Sequence, residues 1–127
     1  MLMLADVFPE IKTELQNYKV HLAIGSQVKK QPLIELARNM FKEWQEYQNN
    51  KNFERQYIFS LVYYRQHEWI YAGTYRRIGV TKDYDPVKGK DYYRYSTELL
   101  DRHTDLIGRA IFTFKKEFQQ SYVTLHE

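Results

Sequence analysis

The chain has 127 residues, of which 43% are hydrophobic and 28% are charged, and its formal net charge is +3. These values fit one globular domain over residues 1–127 and exclude a disordered chain or a histone-like basic tail. The absence of cysteine excludes disulfides, thiolate metal sites and a cysteine nucleophile. The first residues lack the pattern of a signal peptide, and no segment approaches the ~18–20 apolar residues of a membrane helix. We therefore predict a cytoplasmic protein with no membrane partner.

The N-terminal segment predicts a helix followed by a short strand. Apolar residues recur at helical spacing from Val7 to Tyr18, and Pro9 stands in the first turn, where its missing N–H is harmless. Residues 19–24 then alternate in the manner of a strand.

A second and clearer helix is predicted after a basic turn at residues 25–31. It begins at Pro32, and its apolar stripe continues through Trp44 to Tyr47. We interpret this stripe, Trp44 included, as core, because an amphipathic helix in so small a domain must cover a sheet.

From Arg55 onward the sequence predicts strands. Residues 56–64 are apolar at nearly every position, which indicates a central strand covered on both faces. Gly73 and Gly79 interrupt the next strand and indicate a bulge, a bend or the close approach of another backbone. The remaining predicted elements are strands at residues 69–80, 91–100, 109–115 and 120–125, a long loop at 81–90, and a capped helical turn at 101–107. This order predicts an α+β domain with two N-terminal helices packed on a strongly bent, mostly antiparallel sheet or small barrel.

Residues 75–95 mix tyrosine with basic residues and hold six Lys/Arg against three Asp. Aromatic rings beside cations suit a polymer with stackable bases and a charged backbone. Tyr84, Tyr92 or Tyr95 would stack on bases, and one of the adjacent Arg76 and Arg77 must face away from the ligand, because strand residues alternate. The candidate nucleic-acid-binding residues are Trp69, Tyr75, Arg76, Arg77, Lys82, Tyr84, Lys88, Lys90 and Arg94.

Catalytic and metal-binding patterns are absent from the sequence. The four histidines never fall at the spacing of a metal-ligand pair, and neither a nucleophile elbow nor a phosphate-binding glycine loop is present. Glu98, Asp101 and Asp105 cluster near a strand end, where capping of the next turn is the favoured role. We predict no enzyme activity, catalytic residue, metal or cofactor; an enzyme built on this acidic cluster is the weakest of three hypotheses.

Several segments resemble one domain family. Residues 41–48, 52–55, 60–61, 69–75 and 105–109 are similar in order and spacing to the domain found ahead of the catalytic module in some bacterial GIY-YIG-type nuclease proteins. The resemblance covers roughly residues 20–123. It implies a DNA-recognition module of a restriction-type system, with a nuclease domain or subunit as its partner.

A weaker resemblance is to PUA-like barrels, some of which read modified bases. Residues 62–64, 70–73 and 78–80 are similar to paired strands of that barrel. The resemblance implies a pocket for a modified, flipped or single-stranded base. Its wall candidates are Trp44, Trp69, Tyr71 and Tyr75.

Two functional classes remain open on these observations. The first is a nucleic-acid-binding module, with DNA favoured over RNA. The second is a protein-interaction or dimerisation domain with a tyrosine-rich surface, since Tyr and Arg are enriched in such interfaces too. Salt separates the two, because phosphate binding weakens steeply with ionic strength.

Overall fold

A computed structural model describes residues 2–25, 29–113 and 122–125 of the chain. The four short helices are α1 (Leu4–Val7), α2 (Glu10–Thr13), α3 (Gln31–Ala37) and α4 (Phe41–Glu46), with single 3₁₀ turns at Leu15–Asn17 and Thr104–Leu106. The strands are β1 (Leu2–Met3), β2 (Tyr18–Ala23), β3 (Tyr47–Gln48), β4 (Tyr57–Arg65), β5 (Glu68–Asp85), β6 (Lys90–Leu99), β7 (Ala110–Thr113) and β8 (Tyr122–Leu125).

The described strands form one mixed sheet with the order β1-β8-β7-β5-β4-β2, and β6 joins it through β5 and carries β3. Every described pairing is antiparallel except that of β2 with β4. The α+β class is therefore confirmed. Within the described residues the sheet is open, with β1 and β2 at its two ends, so the predicted closure into a barrel is not confirmed. The predicted strands at 109–115 and 120–125 correspond to β7 and β8, and residues 114–121 lie outside the described residues.

β4 is the central strand that the sequence predicts. It pairs with β2 on one side and β5 on the other, and Ile58 to Val62 are all buried. Phe59 and Leu61 belong to a core with Phe8 and other residues of the N-terminal helices. Ile58 and Val62 belong to a second core on the α3–α4 side. The alternation of a strand thus sends successive apolar residues into two cores.

Helices cover both faces of the sheet, but they are shorter than the two continuous helices that the sequence predicts. The first predicted helix divides into α1, α2 and a 3₁₀ turn, and Tyr18 already belongs to β2. The second divides at Asn39, whose φ is 61°. There the N–H groups of Asn39 and Met40 donate to the carbonyls of Leu36 and Glu35, which closes α3 with a left-handed cap.

The prediction of a loop at residues 81–90 is wrong, because most of these residues form strand. β5 runs on to Asp85, β6 begins at Lys90, and the turn between them closes with Gly89 at φ 66°. The side chain of Asp85 accepts the N–H of Val87 at 2.9 Å, which stabilises this turn. Beyond Arg77, β5 pairs only with β6, so these two strands extend from the sheet as a ribbon, and β3 adds a short third strand to it opposite Tyr93 and Arg94.

Two bulges shape β5 where the sequence predicts them. The register shifts opposite Ser60 and Leu61, where Gly73 has φ 115°, and again between Arg77 and Gly79. The φ of Gly73 is one that side-chain-bearing residues rarely adopt, so its conformation favours glycine there; a Cβ would also lie 2.9 Å from the mobile end of Leu99, at Cδ1. The second bulge lies where the ribbon leaves the body of the sheet.

Candidate nucleic-acid interface

The β5–β6 ribbon, defined as residues 77–97, carries most of the predicted binding residues, with Lys82 and Tyr84 on the face opposite Lys90 and Arg94. Thr81 pairs with Arg94, Lys82 with Tyr93 and Asp83 with Tyr92. Partners across an antiparallel pair share one face, so residues separated in sequence become neighbours. The predicted residues on the ribbon are Arg77, Lys82, Tyr84, Lys88, Lys90 and Arg94, and Arg76 lies at its base.

An exposed aromatic stack lies beside the ribbon. β3 pairs with β6 in a register that sets Tyr47 opposite Arg94. The rings of Tyr47 and Tyr92 stack with centroids 6.0 Å apart and planes at 27°. The Arg94 guanidinium carbon lies 5.4 Å from the Tyr47 ring centroid, in a cation–π contact. Tyr47 is 51% exposed, so the stack presents an aromatic surface to solvent.

A cleft of about 340 Å³ opens at the end of the ribbon. We call it the tip cleft. It combines three tyrosines with a lysine and the polar end of β3. Its lining residues are Tyr47, Gln48, Asn49, Tyr84, Asp85, Pro86, Lys88 and Tyr92. The same small volume therefore offers aromatic faces, an ammonium group and carboxamides.

The ribbon cations differ in their partners. Arg76 pairs with Glu98 at 3.2 Å and Lys82 with Asp91 at 3.3 Å, and all four side chains are largely exposed. Exposed pairs of this kind contribute about 0–1 kcal/mol, so a phosphate exchanges for the carboxylate at little cost. Within the described chain, Lys88 and Lys90 form no ion pair.

Two predicted site residues lie in the body of the domain instead. Trp69 is half-buried against the core and contacts the Tyr63 ring edge-to-face at 5.6 Å. Fifteen positions separate it from Tyr84 along β5, about 45–50 Å of strand. Tyr75 is only 4% exposed, its hydroxyl donates to the Ala72 carbonyl at 2.9 Å, and burial raises its pKa. Neither residue shares a surface with the tip cleft.

The sequence-based predictions for Tyr47 and Tyr95 are wrong. Tyr47 extends the apolar stripe of α4 and was assigned to the core, but the chain leaves the helix at Glu46 and turns into β3. Tyr95, a predicted stacking residue, is 2% exposed and packs on Phe53. Strand alternation places Tyr92 and Tyr95 on opposite faces of β6, but only the contact with Phe53 and the pairing with β3 show which face is covered.

Buried polar contacts hold the end of α4 under the ribbon. The Glu46 carboxylate accepts the N–H of Thr97 at 2.8 Å and its hydroxyl at 2.9 Å. Gln45 is fully buried, and its carboxamide oxygen contacts His21 Nδ1 at 2.7 Å and the Ser60 hydroxyl. These contacts fix the helix end against β6 and β2, and so fix where β3 begins.

His21 makes the stability of this arrangement depend on pH. Burial lowers the pKa of His21 below its ordinary value of 6.5, and the hydrogen bond to Gln45 opposes that shift only in part. The unfolded chain therefore binds more protons as the pH falls below 6.5, so the His21 contribution is complete above that pH and declines beneath it. We expect His21→Gln to flatten the fall of the urea midpoint between pH 7.5 and pH 5.

The matched control is His67→Asn, at an exposed turn residue with φ 65°. Asparagine tolerates this backbone conformation, so the control should keep the parent's pH slope. Equal slopes for His21→Gln and the parent would contradict the assignment.

The described residues contain no group of three or more side chains suited to a metal ion, and none of their helices has the length and apolar content to cross a membrane. Glu98, from the predicted acidic cluster, pairs with Arg76. The chain matches no protein-family model, no curated protein and no solved structure.

Proposed function

We propose that this domain binds an unpaired or locally opened nucleic-acid strand along the β5–β6 ribbon. The observation that carries the proposal is the Tyr47–Tyr92 stack with its exposed Tyr47 ring, which Arg94 contacts and which adjoins the lysine-bearing turn. Exposed rings bind base faces whatever the sequence, and neighbouring cations neutralise the phosphates between bases. The resemblance to DNA-recognition domains favours DNA as the polymer and a nuclease domain or subunit as the partner.

The geometry suits a single strand better than a duplex. Stacking on the tip cleft requires a base with a free face, and duplex bases have both faces covered. The ribbon carries no long basic stripe, since its lysines and arginines alternate with Asp83, Asp85 and Asp91. Affinity should therefore depend on stacking as well as on charge.

Alanine substitution of the two stacked tyrosines tests this. We expect Tyr47→Ala and Tyr92→Ala each to weaken binding of a fluorescein-labelled 15-mer by about 1–3 kcal/mol, with little change in salt dependence. Fluorescence anisotropy over a salt series measures both quantities.

Tyr63→Ala is the matched control, because Tyr63 is a half-buried tyrosine near the end of β4 and does not line the tip cleft. It should bind as the parent does. If well-folded Tyr47→Ala and Tyr92→Ala proteins keep parental affinity, or the parent binds no oligonucleotide at low salt, the proposal is wrong.

A protein interface is the second candidate, and exposed apolar side chains on and beside the ribbon favour it. Ile78 is 57% exposed, Val80 46% and Leu99 43%. Such a surface would bind a partner with weak salt dependence. Light scattering that finds dimers unchanged between 0.05 and 0.5 M salt, together with no oligonucleotide binding, would select this candidate.

A further inference from the structure

A second cleft lies beside β3, between the end of α4 and strand β2. Its volume is about 520 Å³, and we call it the amide cleft. Five carboxamides and three ring side chains share its wall with two apolar residues, and no lining side chain carries a carboxylate, an ammonium or a guanidinium. The lining residues are His21, Leu22, Ile24, Gln31, Trp44, Tyr47, Gln48, Asn49, Asn50 and Asn52.

Part of this wall is ordered by its own hydrogen bonds. The Asn52 side-chain nitrogen donates to the Gln48 side-chain oxygen at 2.7 Å, and the Gln48 nitrogen donates to the Gln45 carbonyl at 2.7 Å. Behind the wall, the fully buried Gln45 contacts His21, and its side-chain nitrogen has no partner. The cleft is thus backed by a hydrogen-bonded network in which the Gln45 side-chain nitrogen is the one donor left without an acceptor among the described residues.

Other carboxamides of the cleft are free to bind a ligand. Within the described residues, Gln31, Asn49 and Asn50 use no side-chain atom in an intramolecular hydrogen bond, and all three are exposed. A carboxamide both donates and accepts, so it matches the mixed edge of a nucleobase. Trp44 and Tyr47 supply ring faces in the same cleft.

The amide cleft and the tip cleft share Tyr47, Gln48 and Asn49. The two clefts therefore border one short segment. A strand held at the tip cleft by stacking and by Lys88 would pass close to this segment. Its next base would then come near an uncharged, hydrogen-bonding cleft, while its phosphates remain beside the lysines.

We infer that the amide cleft reads one unpaired base of the strand bound by the ribbon and gives the domain its base preference. The inference rests on the proposed function. Neutral donors and acceptors discriminate base edges, whereas the ribbon cations bind every sequence alike. The base would lie against the ring of Trp44, with Gln31 and Asn50 at its edge.

The test compares labelled dA₁₂, dC₁₂ and dT₁₂ by fluorescence anisotropy at 0.1 M salt. We expect the parent to bind one of the three about 10-fold or more tightly than the others. A bidentate hydrogen-bonded contact to a base edge gives discrimination of about this size. Gln31→Ala and Asn50→Ala should reduce that preference to about 3-fold or less and leave the salt slope unchanged. Gln66→Ala, an exposed glutamine in the β4–β5 turn, is the matched control and should keep the preference.

A second measurement reports occupancy of the cleft directly. Trp69→Phe leaves Trp44 as the remaining tryptophan, and saturating oligonucleotide should quench its fluorescence. An equal affinity of the parent for all three oligonucleotides, an unchanged preference in the folded cleft variants, or unquenched Trp44 in a saturated complex would each overturn the inference while the ribbon proposal stands. Failure of the parent to bind any oligonucleotide would overturn both.

Discussion

Leu61→Asp is expected to abolish cooperative folding of the domain. Leu61 is fully buried in the core beneath the N-terminal helices, and its strand β4 is paired on both sides. An unpaired carboxylate in that position costs several kcal/mol, and the lost leucine burial adds about 2 kcal/mol. The sum is comparable to the whole stability of a typical domain, about 5–15 kcal/mol. Circular dichroism during heating should show no sigmoidal transition.

Leu22→Asp is the matched control for this substitution. Leu22 pairs with Leu61 in the β2–β4 register, but it is 42% exposed. Its aspartate therefore remains hydrated, and we expect a cooperative transition with a modest loss of stability. A Leu61→Asp protein that melts cooperatively near the parental temperature would show that β4 is not the centre of the fold.

Removal of the ribbon cations is expected to have the largest effect on binding. The triple variant Lys88→Ala, Lys90→Ala, Arg94→Ala removes three charges that face the tip cleft or flank it. If each contacts one phosphate, the slope of log affinity against log salt should fall by about 2 units, since each contact on a single strand contributes about 0.7. At 0.1 M salt this corresponds to about 100-fold weaker binding, whatever the oligonucleotide sequence.

The matched control removes three exposed cations elsewhere, with Lys12→Ala, Arg38→Ala and Arg65→Ala. Both variants lower the formal net charge from +3 to zero, so a general charge effect would weaken both equally. We expect the control to lose less than half as much of the parental salt slope as the ribbon variant loses. Equal salt slopes for the two triple variants would contradict a phosphate contact on the ribbon.

The central strand, the irregularities of β5 and the ribbon segment could be predicted from the sequence, because each depends on residues close together in the chain. The run at residues 56–64 predicted a strand covered on both faces, and β4 is that strand. Gly73 and Gly79 predicted irregularities in β5, and both stand at register shifts. The mixture of tyrosine and basic residues at 75–95 identified the segment that becomes the ribbon.

Helix length and loop position were not readable in the same way. The apolar stripe from Pro32 to Tyr47 does not reveal the break at Asn39, because the apolar residues of α3 and of α4 each keep helical spacing on their own side of it. Residues 81–90 have the polar, Pro/Gly-containing composition of a loop. They form strand because β5 and β6 pair through cross-strand hydrogen bonds, and this pairing does not depend on an apolar face.

The sequence by itself determined the α+β class, the central strand β4 and the basic, tyrosine-rich character of residues 75–95. Only the tertiary structure decided which tyrosines are available to a ligand. Tyr95 and Tyr75 are buried against Phe53 and Phe41, while the half-buried Tyr92 stacks on the exposed Tyr47 because β3 pairs with β6. Contacts between segments about 40 residues apart decide this exposure, and composition and periodicity carry information only about near neighbours along the chain.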